Sequence, residues 1–256
     1  MSESDRHVES VLSALALLDC FEHDESLRLE DFHVRTGLTR SRIIRLAGTL
    51  VHKGYLTHDK ARLQYRLGPK LYRLSTLLSD RYGFLADRVR PTLIELVNTT
   101  GLTAMFSVLG GKDRLILAKE EPDQAVRYTV NEGQLRPINL GASGRVLLAF
   151  SNSKLASELL ESLSLSDTAR SELYRDLEPI RKKGFDLSES ELTRHAFAVA
   201  VPVSNSAGDL QGALTLAGPT LEYSKDKLDQ LIELLNEKSK ILERDQPEQT
   251  VQSAHL

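Results

Sequence analysis

Apolar residues in the first twenty positions recur at the spacing i, i+3, i+4, i+7, which is typical of a helix with one buried stripe. The stripe predicts a helix from about His7 to Cys20. Its members are Val8, Val11, Leu12, Leu15 and Leu18. A short second helix is predicted from Leu29 to Arg35, ending at Gly37, because glycine readily takes the positive φ of a helix end.

A third helix is predicted between two boundary residues. Thr39 is a typical N-cap, and Gly54 is typical of the position just beyond a helix end. At about 100° per residue, the helix has an apolar face and a polar face. The apolar face comprises Ile43, Leu46, Ala47, Leu50 and Val51. The polar face comprises Ser41, Arg42, Arg45, Gly48, Thr49 and His52.

Gly48 on the polar face predicts that another group closely approaches the helix backbone. Glycine inside a helix costs about 1 kcal/mol relative to alanine, so its presence calls for a reason. The approaching group is either DNA or the first helix of the same chain.

After Gly54 the apolar period changes to two, which predicts two strands, at 55–58 and 63–67, around a turn at 59–62. Three helices followed by a basic hairpin describe a winged helix-turn-helix. A further helix is predicted from Pro69 to Leu78, where Leu71, Leu74 and Leu78 form a stripe that a contact between two chains would bury.

The remaining residues alternate between helical and strand patterns. Helices are predicted at 84–99, interrupted near its start by Pro91, and at 144–150, 153–162, 168–183 and 224–244. Strands are predicted at 103–109, 114–119, 125–130, 196–203 and 211–217. The hairpin signal Gly110-Gly111-Lys112-Asp113 favours antiparallel pairing. We therefore predict an α+β chain with a DNA-binding domain at 6–68, a linker helix at 69–83, and an effector-binding and oligomerisation domain at 84–245 with a mainly antiparallel sheet.

The composition excludes several classes of protein. With 41% hydrophobic and 27% charged residues in 256, the chain is unlike disordered or membrane proteins, and no apolar run reaches the roughly 18 residues that cross a bilayer. The start is polar and acidic, so we expect a cytoplasmic protein. The single cysteine, Cys20, cannot form an internal disulfide and is predicted to be a small core residue. We expect neither a metal nor a cofactor.

The charge is distributed unevenly along the chain. Residues 35–75 contain ten Lys or Arg residues against the single acid Asp59, a net charge of +9, and the rest carries −12. This asymmetry indicates a polyanion-binding segment on an acidic body, or else a solvated basic surface without a partner. Because arginine and hydroxyl side chains bond both base edges and phosphates, the polar face of the third helix favours the first reading.

No catalytic motif is complete in the acidic body. Gly141-Ala142-Ser143-Gly144 is superficially similar to a nucleophile elbow, but Arg145 stands where that motif requires its second glycine. The glycine spacing also fails the dinucleotide and phosphate-loop patterns. The seven histidines are scattered, without metal-ligand spacing. We therefore predict that the chain is not an enzyme.

The chain resembles the IclR family of bacterial transcriptional regulators from about His7 to Leu242. In the amino-terminal part the resemblance rests on 8–18, 37–46, Gly54-Tyr55-Leu56 and Tyr65-Arg66-Leu67-Gly68. In the body it rests on 141–150, Arg181-Lys182-Lys183-Gly184-Phe185, Ala200-Val201-Pro202-Val203 and 212–219. Each motif is weak alone, whereas their order and spacing together are specific.

The resemblance implies a GAF-like effector domain, a homodimer through the DNA-binding half, and often a dimer of dimers. It also implies an effector pocket between the sheet and the start of the 141–150 helix. The positions carried over are Ala125, Tyr128, Ala142, Ser143, Ser188, Ala196, Ala198, Thr215 and Ala217. A helix start suits a carboxylate, and Ser143, Ser188 and Thr215 would complete its hydrogen bonds.

This sequence departs from the family pattern at three positions. Relatives often carry an acid where Ser188 stands, a glycine where His195 stands and a cysteine where Ala198 stands. The effector class therefore does not transfer from relatives. Met105, Phe106 and Phe197 form either an apolar wall for an aromatic acid or ordinary core packing.

These observations predict a regulator that binds double-stranded operator DNA and responds to a small organic acid, with aromatic acids among the candidates. We expect a repressor, because repression is the commoner mode in families of this kind. The residues expected to face DNA are Arg40, Ser41, Arg42, Arg45 and Thr49, with Lys53, Lys60 and Arg62 on phosphates. Two alternatives remain open at this point. One is a constitutive DNA-binding protein whose body only oligomerises, and the other is an enzyme with an incidental basic face.

Overall fold

The amino-terminal unit of the chain, Met1–Gly83, contains four helices and three short strands among the residues described. The computed structural model describes residues 7–22, 24–78, 82–222 and 224–244. The elements are α1 (Glu9–Asp19), β1 (Leu27–Arg28), α2 (Leu29–Thr36), α3 (Arg40–His52), β2 (Leu56–Asp59), β3 (Gln64–Leu67) and α4 (Pro69–Thr76). The strands form an antiparallel sheet in the order β1-β3-β2. The predicted winged helix-turn-helix is confirmed, and β1 was missed because two residues show no alternation.

The boundaries of α2 and α3 lie where the sequence predicts them. Gly37 ends α2 with φ of 68°, Thr39 precedes α3, and Gly54 follows it with φ of 78°. The unit's core includes Phe32, whose ring lies edge-on to Tyr65. Cys20 lies in this core, as predicted, and burial raises the pKa of its thiol.

The predicted burial of the α1 stripe is wrong for the single chain. Val8 is 64% exposed and Leu12 is 49% exposed, and Val11 and Leu15 are exposed to a similar degree. The helix instead buries Ser13 and Leu17. Periodicity identifies an apolar face, but it does not specify which neighbour covers that face.

The carboxy-terminal unit, Phe84–Leu256, is built on a six-stranded sheet. Its helices are α5 (Phe84–Thr100), α6 (Ala142–Phe150), α7 (Ser153–Ser162), α8 (Asp167–Lys183) and α9 (Lys225–Arg244). Its strands are β4 (Thr103–Gly110), β5 (Asp113–Glu120), β6 (Leu135–Pro137), β7 (Asp186–Glu189), β8 (Ala196–Ser204) and β9 (Leu210–Pro219). The order is β6-β5-β4-β9-β8-β7 and every pair is antiparallel, which confirms the predicted α+β class.

Both faces of this sheet are covered. One face packs against α6 in a core that contains Val146, Leu147, Ala200 and Ala213, and α8 packs on α6 through Leu177. Side chains that point to the opposite face, such as Phe106, are equally buried.

Two predicted features of this unit are wrong. The segment 125–130 is not a strand, although its residues alternate between apolar and polar, because it pairs with no described strand. The edge position beside β5 is occupied by β6.

Pro91 does not interrupt α5 but lies inside it. Since Val89, Leu93 and Leu96 are fully buried, packing outweighs the roughly 3 kcal/mol that proline costs in a helix. Strand β7 was not predicted.

Candidate functional sites

The polar face of α3 is exposed, as its sequence predicts. Ser41, Arg45, Gly48, Thr49 and His52 are all solvent-exposed. On the opposite side, Ile43, Ala47 and Leu50 are buried in the core of the unit. The helix therefore packs through one side and offers donors, acceptors and open backbone on the other.

The three arginines of α3 have different surroundings. Arg40 Nη2 lies 2.7 Å from Glu30 Oε2, and Arg42 Nη2 donates to Ser13 Oγ at 2.8 Å and pairs with Glu9 at 3.2 Å. Within the described part of the chain, no hydrogen bond or ion pair holds the Arg45 guanidinium. Arg45 is thus the arginine of α3 that is free to contact a partner without first breaking an internal bond.

Gly48 does not make room for any other part of the chain that the structure describes. A Cβ built at Gly48 would meet no described atom within 4 Å. The alternative in which the first helix packs closely against Gly48 is therefore wrong. The missing side chain leaves a bare patch of helix backbone on the exposed face.

The wing, which is the hairpin formed by β2 and β3, carries two cations at its tip. Lys60 and Arg62 are exposed, and the turn is held by Asp59 Oδ1, which accepts from the Ala61 and Arg62 N–H groups at 2.9 and 3.1 Å. The hydrogen bond from the Arg62 N–H is the main cause that lowers the pKa of Asp59. Lys53 is also exposed, at the carboxyl end of α3.

In the carboxy-terminal unit a narrow pocket lies between the sheet and the start of α6. It is bounded by residues of all six strands, by the 121–134 segment, and by the loop that joins β7 to β8. Its apolar lining comes from Met105, Ile116, Val130, Ala196, Phe197 and Ala198. Buried polar groups also reach it, and these determine what the pocket can bind.

Seven of the nine predicted effector positions line this pocket. They are Tyr128, Ala142, Ser143, Ser188, Ala196, Ala198 and Thr215. Ala125 is instead exposed on the 121–134 segment, and Ala217 is fully buried beside the pocket, packed with Met105 and Ile116. Phe106 is not part of the wall either, because its ring packs against Gly212 on the other face of the sheet.

Arg114 on β5 is a pocket residue that the sequence reading missed. The side chain is only 4% exposed, and Nη1 donates to Ser143 Oγ at 2.6 Å. Its Nε is buried without a partner among the described residues. Burial, together with the nearby Arg136 and Arg145, lowers the pKa of Arg114 to about 10, so the group stays charged at neutral pH. The sequence contained a signal for Arg114, because it lies two residues before the buried Ile116 in the alternation of β5.

The amino end of α6 already holds a carboxylate of the chain itself. Glu191 Oε2 accepts from the Gly141 N–H at 2.9 Å and from Arg145 Nη1 at 2.6 Å. Arg145 Nε also donates to Asp186 at 2.7 Å. Burial opposes the charge of Arg145, but these two acids outweigh it and raise the pKa of Arg145. Arg145 is therefore neutralised within the chain, whereas Arg114 beside it has no acidic partner among the residues that the structure describes.

Glu121 holds the 121–134 segment against the sheet. It accepts from Lys119 Nζ at 2.5 Å, from Thr129 Oγ1 at 2.6 Å and from Arg127 Nε at 3.0 Å. Burial would raise the pKa of Glu121, but these hydrogen bonds outweigh it and bring the pKa to about 2. The anchored segment presents Tyr128 to the pocket without the ladder bonds of a strand.

Among the described residues, two further unpartnered polar atoms belong to residues that line this pocket, Arg136 Nε and Thr215 Oγ1. Thr215 is 1% exposed, and its Oγ1 has no hydrogen-bond partner within the residues that the structure describes. A buried hydroxyl without a partner is unfavourable, so this atom is available to a bound molecule.

Two family models match this chain in the same order as its two units. The IclR helix-turn-helix domain matches residues 10–60, and the bacterial transcriptional regulator IclR C-terminal domain matches residues 84–244, more than half of the chain. The chain belongs to the IclR family. As an IclR-family protein it is a DNA-binding transcriptional regulator rather than an enzyme.

Two relatives of this IclR-family chain match it along nearly its whole length. It is 26% identical to the regulator BhcR of Paracoccus denitrificans over 249 residues, covering 94% of this chain and 88% of BhcR. It is 28% identical to XynR of Escherichia coli over 244 residues, covering 93% of this chain and 96% of XynR. Both relatives are named as helix-turn-helix-type transcriptional regulators.

A solved structure of an IclR homologue from Microbacterium hydrocarbonoxydans shares the fold. It superposes with a TM-score of 0.72 at 21% identity, covering 93% of this chain and 98% of the homologue. That protein was crystallised with 4-hydroxybenzoate. In the present chain, none of the described helices is both long and apolar enough to cross a bilayer.

Proposed function

We propose that this IclR-family chain binds a duplex operator through α3 and its wing and represses transcription until a small organic acid occupies the pocket. The observation that carries the effector class is Arg114, a buried cation that reaches the pocket without a carboxylate partner in the described chain. An acid would neutralise it. The 4-hydroxybenzoate held by the Microbacterium homologue supports an organic acid as the effector and favours an aromatic one.

The DNA contacts that we propose follow the exposed groups of α3. Ser41, Arg45 and Thr49 would contact the groove directly, while Arg40 and Arg42 would contact DNA on exchanging their internal carboxylate partners. Lys53, Lys60 and Arg62 would neutralise phosphates beside the groove. The absence of a side chain at Gly48 would let the duplex approach the helix backbone.

The protein would act as a homodimer, or as a dimer of dimers, as its family resemblance implies. The exposed apolar residues of α1 support this, since a second copy would bury Val11, Leu12 and Leu15. Leu74 and Leu78 of the α4 region are also exposed. Two-fold pairing would place two copies of α3 on a palindromic operator.

The test is a fluorescence anisotropy titration of the full chain against duplexes tiling its own promoter, with and without a panel of organic acids. We expect tight, salt-sensitive binding to one duplex and its weakening by at least one acid. Failure to bind any duplex at low salt would overturn the DNA-binding assignment. Unaltered binding with every acid, together with unaltered thermal stability, would favour the constitutive alternative in which the body only oligomerises.

A further inference from the structure

The hairpin turn of the wing ends at a leucine with an unusual backbone conformation. Asp59 of β2 pairs with Gln64 of β3, so residues 60–63 form the turn between the two strands. Leu63, the last residue of this turn, has φ of 54°. A positive φ brings the Cβ of an L residue too close to the following carbonyl oxygen, so glycine or asparagine is favoured at such a position. The turn therefore carries a large apolar side chain where a smaller residue would be less strained.

The side chain of this leucine is exposed rather than packed. Leu63 is 65% exposed, and it lies outside the core of the amino-terminal unit as the structure describes that core. Two residues later Tyr65 is only 8% exposed, and its ring packs edge-on against Phe32. In a continuous strand Leu63 and Tyr65 would share a face. Core packing thus explains the tyrosine and does not explain the leucine.

The surrounding contacts hold the turn in place. The carboxylate of Asp59 accepts hydrogen bonds from the N–H groups of Ala61 and Arg62, on one side of the turn. In the strands, the ring of His58 stacks on that of Tyr65 with 4.3 Å between the ring centroids. Because Tyr65 belongs to the core of the unit, the strands and their turn are fixed to that core. The apolar side chain is therefore presented at a defined position.

Exposed cations surround this apolar side chain. Lys60 and Arg62 precede Leu63 in the turn and Arg66 follows it on β3, and all three are exposed. Asp59 accepts two backbone hydrogen bonds and lies 3.9 Å from the Arg62 guanidinium. An apolar contact between the wings of two copies is disfavoured, because it would bring these positive charges together. A polyanion with an apolar interior between its phosphates matches both the cations and the leucine.

The minor groove of a DNA duplex has this character. Phosphates line its edges, and an apolar side chain such as leucine can enter between its base steps, partly unstack them and bend the DNA. Only residues 53–55 separate α3 from β2. At about 3.3 Å per residue, the 4 residues of β2 span roughly 13 Å. Since the major groove is about 12 Å wide, a wing beside α3 can cross the flanking phosphates and reach the minor groove.

We propose that Leu63 is a minor-groove wedge. When α3 occupies the major groove, the leucine inserts at one base step of the flanking minor groove, while Lys60 and Arg62 hold the phosphates on either side. The insertion bends the operator and creates a preference for an easily unstacked pyrimidine–purine step at a position that α3 does not contact. This inference rests on the proposed function, because it adds a specificity-determining contact to the same DNA-binding surface.

The test uses the full chain and the duplex from its own promoter that binds most tightly. One set of duplexes carries 2-aminopurine at successive positions of each flank, since the fluorescence of this base rises when it is unstacked. Another carries a donor and an acceptor dye at its two ends, so that energy transfer reports bending. We expect the wild type to unstack one position in each half-site and to bring the ends together. A TA step at that position should bind at least fivefold more tightly than an AA step.

Variants of the leucine separate its apolar character from its effect on folding. Leu63→Asn removes the apolar side chain and introduces a residue that tolerates positive φ. It should unfold at an equal or higher urea concentration, bind the operator at least tenfold more weakly, and lose the unstacking and the bend. Leu63→Met stays apolar and should retain both. Leu221→Asn, which removes a 97% exposed leucine from the carboxy-terminal unit, is the matched control and should change neither.

The salt dependence of binding separates the leucine from the cations beside it. Lys60→Ala and Arg62→Ala should each reduce the slope of log affinity against log salt concentration by about one, because each removes roughly one phosphate contact. Leu63→Asn should leave that slope unchanged while it lowers the affinity. A reduced slope in Leu63→Asn would show that the substitution acts through the phosphate contacts, and would overturn the wedge.

The remaining outcomes distinguish this inference from the proposed function. Full operator affinity and an unchanged bend in Leu63→Asn overturn the wedge and leave the proposed operator binding intact. A wild-type complex in which no flanking base is unstacked and the duplex stays straight also overturns the wedge. Absence of binding to every duplex at low salt would overturn the proposed function and this inference together.

Discussion

Arg114 Nη1 donates to Ser143 Oγ at 2.6 Å, and this bond joins β5 to the first turn of α6. The two residues lie 29 positions apart, and both are nearly inaccessible to solvent. Because no described acid neutralises Arg114, the contact holds a charge inside the unit at a cost in folding free energy. Such a cost is typical of a binding site, where a ligand supplies the missing partner.

Replacing Arg114 with Met should stabilise the ligand-free protein. The substitution removes a desolvated charge and keeps most of the side-chain volume, so we expect the free energy of unfolding to rise by about 1–3 kcal/mol. Urea denaturation monitored by circular dichroism measures this change. A loss of stability comparable to that of a core truncation would show that Arg114 is a structural residue.

Ser143→Leu should abolish the response to effector and leave operator binding intact. Ser143 is 2% exposed, so the larger side chain fills the pocket and removes the partner of Arg114. The extra volume should cost about 1–3 kcal/mol of stability. Anisotropy titrations against the operator, with and without an acid that releases the wild type, give the readout. A variant that is still released by the acid would locate the effector elsewhere.

Arg45→Ala should weaken specific DNA binding more than Arg42→Ala does. Arg45 is free of described partners, whereas Arg42 is bonded to Ser13 and Glu9. If Arg45 reads a base, operator affinity should fall by about 1–3 kcal/mol, with little change for a scrambled duplex. An equal loss on both duplexes would assign Arg45 to a phosphate. Unchanged affinity for both would remove it from the interface.

Substitutions at Gly48 separate two effects, the stability of the protein and the access of DNA to the backbone of α3. Gly48→Ala should raise the free energy of unfolding by about 0.5–1 kcal/mol, because alanine favours the helix and its Cβ meets no described atom. Gly48→Leu should fold as well as the wild type but bind the operator at least tenfold more weakly. Ser75→Leu, on exposed α4, controls for added apolar surface. Full operator affinity in Gly48→Leu would mean that DNA does not approach this backbone.

The free energy of unfolding should depend on pH through the carboxylate of Glu121. Its pKa falls from 4.5 to about 2 on folding, so its contribution is fully present above pH 4.5 and is lost as the pH falls toward 2. Glu121→Gln should therefore lower the free energy of unfolding by about 1–3 kcal/mol at pH 7. Urea titrations at pH 7, 5 and 3.5 should show this difference shrinking at the lowest pH. A difference that stays constant with pH would exclude the ionised carboxylate as its source.

The elements that the sequence predicted correctly are those determined by local signals. Gly37, Thr39 and Gly54 limit α2 and α3 because capping depends on the φ angles and hydrogen bonds of adjacent residues. The β4–β5 hairpin follows from its glycine turn in the same way. The polar face of α3 was also predictable, since helical periodicity alone determines which side chains share a side.

Features that depend on neighbours distant in the chain were decided by the tertiary structure. The stripe of α1 is apolar, but the rest of the chain covers the opposite side, at Leu17. The 125–130 segment alternates like a strand, yet Glu121 anchors it as a loop. The sequence pattern predicts only a strand at Arg114. Its burial as a charged group beside Ser143 and Arg145 is a feature of the tertiary structure. Alternation and capping act over a few residues, whereas the burial of a charge and the edge of a sheet depend on which distant segments meet.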